Sequence, residues 1–208
     1  MSFTDTLHER LAAGRRVGIL SGAISHLIPS GASVLDIGCG DGRLGQRLLQ
    51  ERPDLRLEGI DVLVRRGAPI PVTAFDGLVA PYPDRHFDAV LLVDVIHHAI
   101  DPLGLLAEGA RLAKTTVVIK DHTLQGFLAG PTLRFMDRVG NARHGVALPY
   151  HYWTRSTWLA SFAALGLTIV EWKDRLGLYP WPASWLFDRS LHFAASLRVP
   201  TPGAADRG

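Results

Sequence analysis

The segment VLDIGCGDG at residues 34–42 has the residue types and spacing of a ligand-binding turn. Its apolar start predicts a buried strand, and its glycines permit a turn with positive φ in which the backbone lies close to a ligand. The carboxylate of Asp36 precedes the first glycine, Gly38, and would repel a phosphate but suit an ammonium group. With a helix over residues 42–51, this pattern predicts a strand, turn and helix that cradle a nucleoside-containing cofactor.

Over roughly residues 30–120 the order of motifs resembles the class I S-adenosylmethionine-dependent methyltransferases. The sequence LEGID looks like the second strand of that family, and Asp61 at its end would accept both ribose hydroxyls. Residues 74–90 resemble the next stretch, in which Asp76 would accept the adenine amino group and Gly77 would leave space for the ring. The resemblance implies S-adenosylmethionine as cofactor, with these binding residues: Asp36, Gly38, Gly40, Asp61, Val62, Asp76, Gly77 and Asp94.

Apolar runs alternate with helical stretches along most of the chain. Strands are predicted at residues 33–37, 56–60, 70–74, 88–93, 116–120 and 167–173, with a seventh, antiparallel strand around 191–199. Helices are predicted at about residues 4–27, 42–51, 102–113 and 154–165. This alternation indicates the α/β class, with a doubly wound, mostly parallel sheet. The resemblance implies that this sheet has seven strands and the Rossmann-like methyltransferase fold.

Length and charge limit the function classes. The 208 residues fit one catalytic domain over residues 1–199 and a flexible tail over 200–208. The 22 basic and 20 acidic residues form no long run of like charge that would indicate a nucleic-acid tract. The single cysteine, Cys39, excludes an internal disulfide, and no apolar stretch is long enough to span a bilayer. We therefore expect a soluble, cytoplasmic protein with a small-molecule substrate and neither nucleic-acid nor membrane partners.

In an open α/β sheet, ligands bind at the carboxyl ends of the strands, so the residues there are candidates for catalysis. Residues 93–102, VDVIHHAIDP, follow the fourth strand; the resemblance implies that Asp94 contacts the cofactor, and His98 is a candidate to face the substrate. After the fifth strand come Asp121 and His122, which offer either an oriented general base or a merely solvated pair. The predicted catalytic residues are His122, His98 and Asp121.

Residues 123–153 are longer than the usual connection from a strand to a helix and are predicted to form a lid after the fifth strand. Hydrogen-bonding and aromatic side chains there are typical of a small-ligand pocket. The predicted substrate-binding residues are Asn141, Tyr150 and Tyr152 of the lid and Tyr179 on its C-terminal side. No metal site is predicted.

These features favour a methyltransferase that transfers a methyl group in line from S-adenosylmethionine to a small-molecule acceptor. One alternative on the same fold uses S-adenosylmethionine itself as substrate, because Asn141 and the nearby tyrosines resemble those of azetidine-carboxylate synthases. That enzyme would form azetidine-2-carboxylate and release methylthioadenosine.

Two further alternatives concern the class of protein. Gly40, Gly42 and Gly45 match the GxGxxG spacing of NAD(P)-linked oxidoreductases, although the chain has no YxxxK pair. The other alternative is a non-catalytic module that binds the cofactor. The apolar, Trp-rich residues 178–187 suit either a pocket or a homodimer face.

Overall fold

Strand β4 (Phe87–Val93) lies at the centre of a seven-stranded sheet, and its apolar side chains from Ala89 to Leu92 are completely buried. The computed structural model describes residues 3–126, 128–141, 151–179, 181 and 191–201. The other strands are β1 (Ser33–Ile37), β2 (Arg56–Asp61), β3 (Val72–Ala74), β5 (Ala113–His122), β6 (Thr168–Lys173) and β7 (His192–Arg198).

Five α-helices accompany these strands in the described part of the chain. They are α1 (Phe3–Ile24), α2 (Arg43–Glu51), α3 (Pro102–Leu112), α4 (Ala129–Asn141) and α5 (Arg155–Ala164), with 3-10 turns at Ser25–Leu27 and Ile96–His98. Among the described residues, no helix combines the length and apolar character needed to cross a membrane.

The strand order is β3-β2-β1-β4-β5-β7-β6, and every neighbouring pair is parallel except the two pairs that include β7. This confirms the predicted seven-stranded, mostly parallel methyltransferase-like sheet with an antiparallel last strand. The chain winds outward in opposite directions from β1 and β4. The carboxyl ends of these two strands therefore border the crevice in which such sheets bind ligands.

Strand β5 is longer than predicted and includes Lys120, Asp121 and His122 instead of ending before the last two. The extension follows from antiparallel pairing with β7, which places His122 opposite His192. All three side chains are buried. The candidate catalytic pair is therefore part of the sheet, and the alternative of a solvated pair is wrong.

The described part of the predicted lid contains α4, where Leu133 packs with Leu191 and against Tyr152. The two ends of the segment meet, because the Leu124 N–H donates to the Trp153 carbonyl over 2.8 Å. Residues 142–150, with Tyr150, lie outside the described residues.

Two apolar layers cover the two faces of the sheet. Leu106 of α3 and Trp158 of α5 are fully buried in one layer, and Ile24 of α1 and Leu48 of α2 are buried in the other. Burying an aliphatic side chain of this size contributes about 1.5–3 kcal/mol. The layers hold the strands in register, and with them the polar groups at the strand ends.

Helix α3 begins directly after the turn that contains His97 and His98. Its N-cap is Asp101, whose Oδ1 accepts the Gly104 N–H over 2.9 Å, and Pro102 occupies the first helical position. The cap fixes where the helix starts and so fixes the turn before it.

We expect Leu106→Ala to lower the free energy of unfolding by about 2–5 kcal/mol, because it leaves a cavity in a completely buried position. Leu103→Ala on the same helix is the matched control; Leu103 is 43% exposed, and its loss should cost less than about 1 kcal/mol. Urea denaturation measures both. Equal losses would contradict the described orientation of α3.

Candidate active site

The glycine turn at residues 38–42 joins the ends of β1, β2 and β4. The Gly38 N–H donates to the Ile60 carbonyl over 2.8 Å, and the Gly40 N–H donates to Oδ2 of Asp61 over 2.8 Å. Gly38 has φ of +73°, and a Cβ there would lie 2.3 Å from Cγ2 of Val95. Because a side chain at this position would be both strained and overlapping, the turn requires glycine.

Asp36 is a buried carboxylate, 2% exposed, directly before this turn. Its Oδ2 has no hydrogen-bond partner among the described residues. Burial, and then the nearby Asp61 carboxylate, raise the pKa of Asp36 to about 7. An unsatisfied buried carboxylate is destabilising, and an ammonium group would satisfy it. The position therefore fits the cationic end of a ligand.

Asp61 stands at the carboxyl end of β2 and shapes the next part of the cradle. While Oδ2 accepts from the glycine turn, Oδ1 accepts the Leu63 N–H over 2.8 Å. These backbone bonds orient the carboxylate at the strand end, where the resemblance expects the ribose hydroxyls.

The loops after β2 and β3 lie side by side. A Cβ at Gly77 would lie 3.5 Å from Cγ1 of Val62. Oδ1 of Asp76 accepts two backbone N–H groups of its own loop, at 2.8 and 2.9 Å, and these bonds lower the pKa of Asp76. Four apolar side chains of the two loops are more than half exposed: Val62, Leu63, Leu78 and Val79. Exposed apolar groups beside a carboxylate fit the face and edge of a nucleobase.

Asp94, at the end of β4, forms ion pairs with two cations. Its Oδ1 accepts from Nζ of the completely buried Lys120 over 2.5 Å, and its Oδ2 accepts from Arg16 of α1 over 2.9 Å. Burial by itself raises the pKa of Asp94, but Lys120 and Arg16 outweigh it and hold the pKa well below its usual range. Asp94 therefore stays ionised and joins β4, β5 and α1.

Asp121 lies between two imidazoles. Its Oδ1 accepts from Nδ1 of His97 over 2.5 Å and lies 3.3 Å from Nδ1 of His122. The backbone N–H groups of Ile96 and His122 also donate to this carboxylate, at 3.1 and 2.6 Å. Burial raises the pKa of Asp121, but His97 and the hydrogen bond with His122 outweigh it and keep the group ionised. Burial lowers the pKa of His122, so its imidazole is neutral at neutral pH.

His97, Asp121 and His122 each place one nitrogen or oxygen within 4.8 Å of the other two. This spacing would let one metal ion contact all three groups. The same carboxylate is already saturated by hydrogen bonds within the protein, so the arrangement is complete without an ion, and the absence of a metal site stays a prediction.

His192 completes the cluster from β7, and sequence reasoning missed it. Its ring lies 4.8 Å from the ring of His122 and 6.0 Å from that of Tyr179, and its Nδ1 lies 3.5 Å from Nζ of Lys120. His192 has no motif around it. Only the register between β5 and β7 shows that it faces the predicted catalytic residues.

The remaining predicted residues are placed as follows. His98 is partly buried with its ring 4.0 Å from that of His97, and the Tyr152 ring lies 5.9 Å from the rings of both His97 and His122. Asn141 is the last residue of α4, and its side chain is outside the described part. Tyr152 thus lies near His97 and His122, and the His98 ring packs against that of His97.

The methyltransferase domain family has a sequence profile that matches residues 9–172, which is most of the chain. The chain belongs to this family. The family consists of S-adenosylmethionine-dependent methyltransferases, and S-adenosylmethionine is the cofactor that membership implies. Oδ2 of Asp36, to which no described residue donates, and the glycine turn both fit this sulfonium-containing amino acid nucleoside.

Relatives with curated names cover part of the chain. It is 36% identical over 107 residues to an uncharacterised methyltransferase of Mycobacterium bovis, covering 44% of this chain and 54% of that one. It is 31% identical over 126 residues to the ubiquinone biosynthesis O-methyltransferase of Xylella fastidiosa, covering 50% of this chain and 49% of that one. The methyltransferase thus spans about half the length of the curated relatives it matches.

Solved structures show the same fold. An S-adenosylmethionine-dependent methyltransferase from Aquifex aeolicus aligns with a TM-score of 0.63 at 16% identity, covering 96% of this chain and all of that one. Another from Mesorhizobium loti aligns with a TM-score of 0.62 at 16% identity, covering 85% of this chain and 96% of that one.

We expect Gly38→Ala to lower both the stability of the methyltransferase and its affinity for S-adenosylmethionine, because the new methyl group overlaps Val95. Gly40→Ala is the matched control, since Gly40 also has positive φ but a Cβ there meets nothing within 4 Å. The overlap should cost about 1–3 kcal/mol beyond the control in urea unfolding. The double variant Gly38→Ala/Val95→Ala should recover part of that difference; no recovery would contradict the described contact.

Asp36→Asn should stabilise the cofactor-free protein above pH 7 and weaken S-adenosylmethionine binding there. The folded-state pKa of Asp36, about 7, exceeds its unfolded value of 3.8, so the wild-type protein loses stability as pH rises between these values. The difference at pH 8 is at most about 4 kcal/mol, because one pKa unit corresponds to about 1.4 kcal/mol. It should vanish near pH 4.

Thermal unfolding at several pH values and calorimetric titration with S-adenosylmethionine measure the two effects of Asp36→Asn. A variant that is less stable than the wild type at pH 8 would show that the Asp36 carboxylate has a donor in the folded protein.

Proposed function

We propose that this methyltransferase transfers the methyl group of S-adenosylmethionine in line to a hydroxyl oxygen of a small molecule, with His122 as general base. The observation that supports this most directly is the position of a buried Asp121–His122 pair at the same edge of the sheet as the glycine turn. The dispersed charges of the chain, 22 basic and 20 acidic residues, support a small-molecule acceptor over nucleic acid.

The cofactor would lie along the carboxyl ends of β1, β2 and β4. We assign its ammonium group to Asp36, its ribose to Asp61 and its adenine to the loops that hold Val62, Asp76 and Gly77. S-adenosylmethionine supplies an electrophilic methyl group on a sulfonium. The protein therefore has to align the acceptor, exclude water and remove one proton.

Proton removal is the task of the Asp121–His122 pair. The carboxylate of Asp121 faces Nδ1 of His122 at 3.3 Å and stabilises the imidazolium that forms when His122 takes a proton. Because burial lowers the pKa of His122, the imidazole is neutral and ready to accept. General base catalysis of this kind contributes about 10²–10⁴ in rate. We assign Tyr152 and Tyr179 to the acceptor side, together with Asn141 and Tyr150. We likewise propose that His98 faces the substrate and that Asp94 contacts the cofactor.

The relatives favour methyl transfer over the two enzymatic alternatives. Both curated relatives are named as methyltransferases, and one is named for O-methylation, which supports an oxygen nucleophile here. Neither supports cyclisation of S-adenosylmethionine or an NAD(P)-linked reaction. A homodimer through residues 178–187 stays a prediction.

The test is incubation of the purified protein with methyl-labelled S-adenosylmethionine and panels of small phenols, amines and carbon acids. We expect S-adenosylhomocysteine only when a hydroxyl acceptor is present, with the label on oxygen. Methylthioadenosine formed from S-adenosylmethionine alone would contradict the proposal, and so would transfer confined to amines.

Asp61→Asn should weaken S-adenosylmethionine binding at least about tenfold, because the amide cannot accept two ribose hydroxyls and the Gly40 N–H together. Asp41→Asn is the matched control: Asp41 lies in the same turn, but it is exposed and pairs with Arg43. Calorimetric titration measures both affinities. Comparable losses in the two variants would argue against a ribose contact by Asp61.

A further inference from the structure

His192 has a buried ring nitrogen that forms no hydrogen bond with any described residue. The residue is 2% exposed, and its Nε2 has no hydrogen-bond partner in the described part of the chain. A buried polar atom in this state destabilises the folded protein. Such atoms in folded proteins commonly meet a ligand or an ordered water.

The neighbours of His192 determine which of its nitrogens carries the proton. Nζ of Lys120 lies 3.5 Å from Nδ1, and a lysine ammonium can only donate. Lys120 is an ammonium here because it is paired with the ionised Asp94 at 2.5 Å. Nδ1 of His192 therefore accepts. Burial, and then Lys120, keep the pKa of His192 well below its usual value, so the ring is neutral and its single proton is on Nε2.

The same reasoning gives the opposite tautomer for His122. Its Nδ1 lies 3.3 Å from Oδ1 of Asp121 and 3.8 Å from Oδ1 of Asp94, and both are ionised acceptors. The adjacent Nδ1 of His97 is closer still to Asp121, at 2.5 Å, and donates to it. Nδ1 of His122 therefore carries the proton, and Nε2 carries a lone pair.

We propose that His122 and His192 together select an acceptor that has an oxygen atom next to its reacting hydroxyl, such as a vicinal diol, an ortho-diphenol or a hydroxy ketone. His122 accepts the hydroxyl proton, and the Nε2–H of His192 donates to the neighbouring oxygen. The ring centroids are 4.8 Å apart, so both side chains can contact neighbouring groups of one small acceptor. This selection rests on the proposed O-methyl transfer.

The electrostatics of the cluster support this assignment. Asp94 lies between two cations, Lys120 and Arg16, so this trio has a net positive charge. The ammonium of Lys120 polarises the His192 ring and strengthens its Nε2–H as a donor. An oxygen with partial negative charge is therefore the preferred partner of His192.

The reaction balances with these two residues. The acceptor oxygen bonds to the methyl carbon, and the carbon–sulfur bond breaks with its electron pair going to sulfur. The hydroxyl proton goes to Nε2 of His122 and then to solvent, while Nδ1 of the same ring faces Asp121. His192 keeps its proton throughout and is a binding residue.

The first test needs neither cofactor nor acceptor. Long-range nitrogen–proton NMR of histidine-labelled wild-type protein reads the tautomer of each ring. We expect the proton on Nε2 in His192 and on Nδ1 in His122, with the signals assigned by His192→Phe and His122→Phe. A proton on Nδ1 of His192 overturns the proposal, as does a stoichiometric metal ion in elemental analysis of the same sample.

The second test compares two isomeric probes, catechol and resorcinol, which differ in whether their oxygens are on adjacent carbons. Each is titrated calorimetrically into protein saturated with S-adenosylhomocysteine. We expect catechol to bind about tenfold more tightly than resorcinol, which corresponds to one additional hydrogen bond. His192→Phe should abolish the preference, His192→Gln should retain part of it because the amide still donates, and His26→Phe, at an exposed site, should leave it unchanged.

Equal affinities for the isomers, no binding of catechol, or a preference that survives in His192→Phe each overturn the proposal. Failure of the protein to bind S-adenosylhomocysteine in the preceding titration counts against the proposed function instead. The NMR measurement of the tautomers does not depend on the binding of S-adenosylhomocysteine or of catechol.

Discussion

The buried ion pair between Lys120 and Asp94 joins the carboxyl ends of the neighbouring strands β4 and β5. Removing two charges from water is expensive, and their attraction offsets that cost only when further polar groups satisfy them. Arg16 from α1 and Nδ1 of His192 from β7 supply those contacts. One interaction therefore links four elements, and the positions of the neighbouring imidazoles depend on it.

Asp36 in β1 and Asp121 in β5, on either side of β4, show how the same side chain acquires opposite properties at the ends of two strands. Both are buried. Asp121 accepts two backbone N–H groups and an imidazole N–H, so it stays ionised and can stabilise a cation next to it. Asp36 has an oxygen without a donor among the described residues and a pKa raised to about 7. The protein orients the first carboxylate by these hydrogen bonds, whereas no described residue donates to Oδ2 of the second.

Sequence reasoning predicted the strands around the glycine turn well because their signals are local. The glycine turn, the acidic end of β2 and the apolar β4 are each recognised from a few consecutive residues, and the predicted strands lie within a few residues of the observed bounds. The acceptor half was predicted less completely. No local pattern shows which of the adjacent rings of His97 and His98 faces Asp121, and His192 meets His122 only through the register of β7.

The antiparallel insertion of β7 between β5 and β6 has a consequence for how the site is assembled. The glycine turn and the strands around it come from the first half of the chain. His122 and His192, by contrast, are 70 positions apart in the sequence and meet because β5 pairs with β7. Contacts between distant residues form late because a long stretch of chain must be ordered first. The half that selects the acceptor exists only after the last strand has entered the sheet.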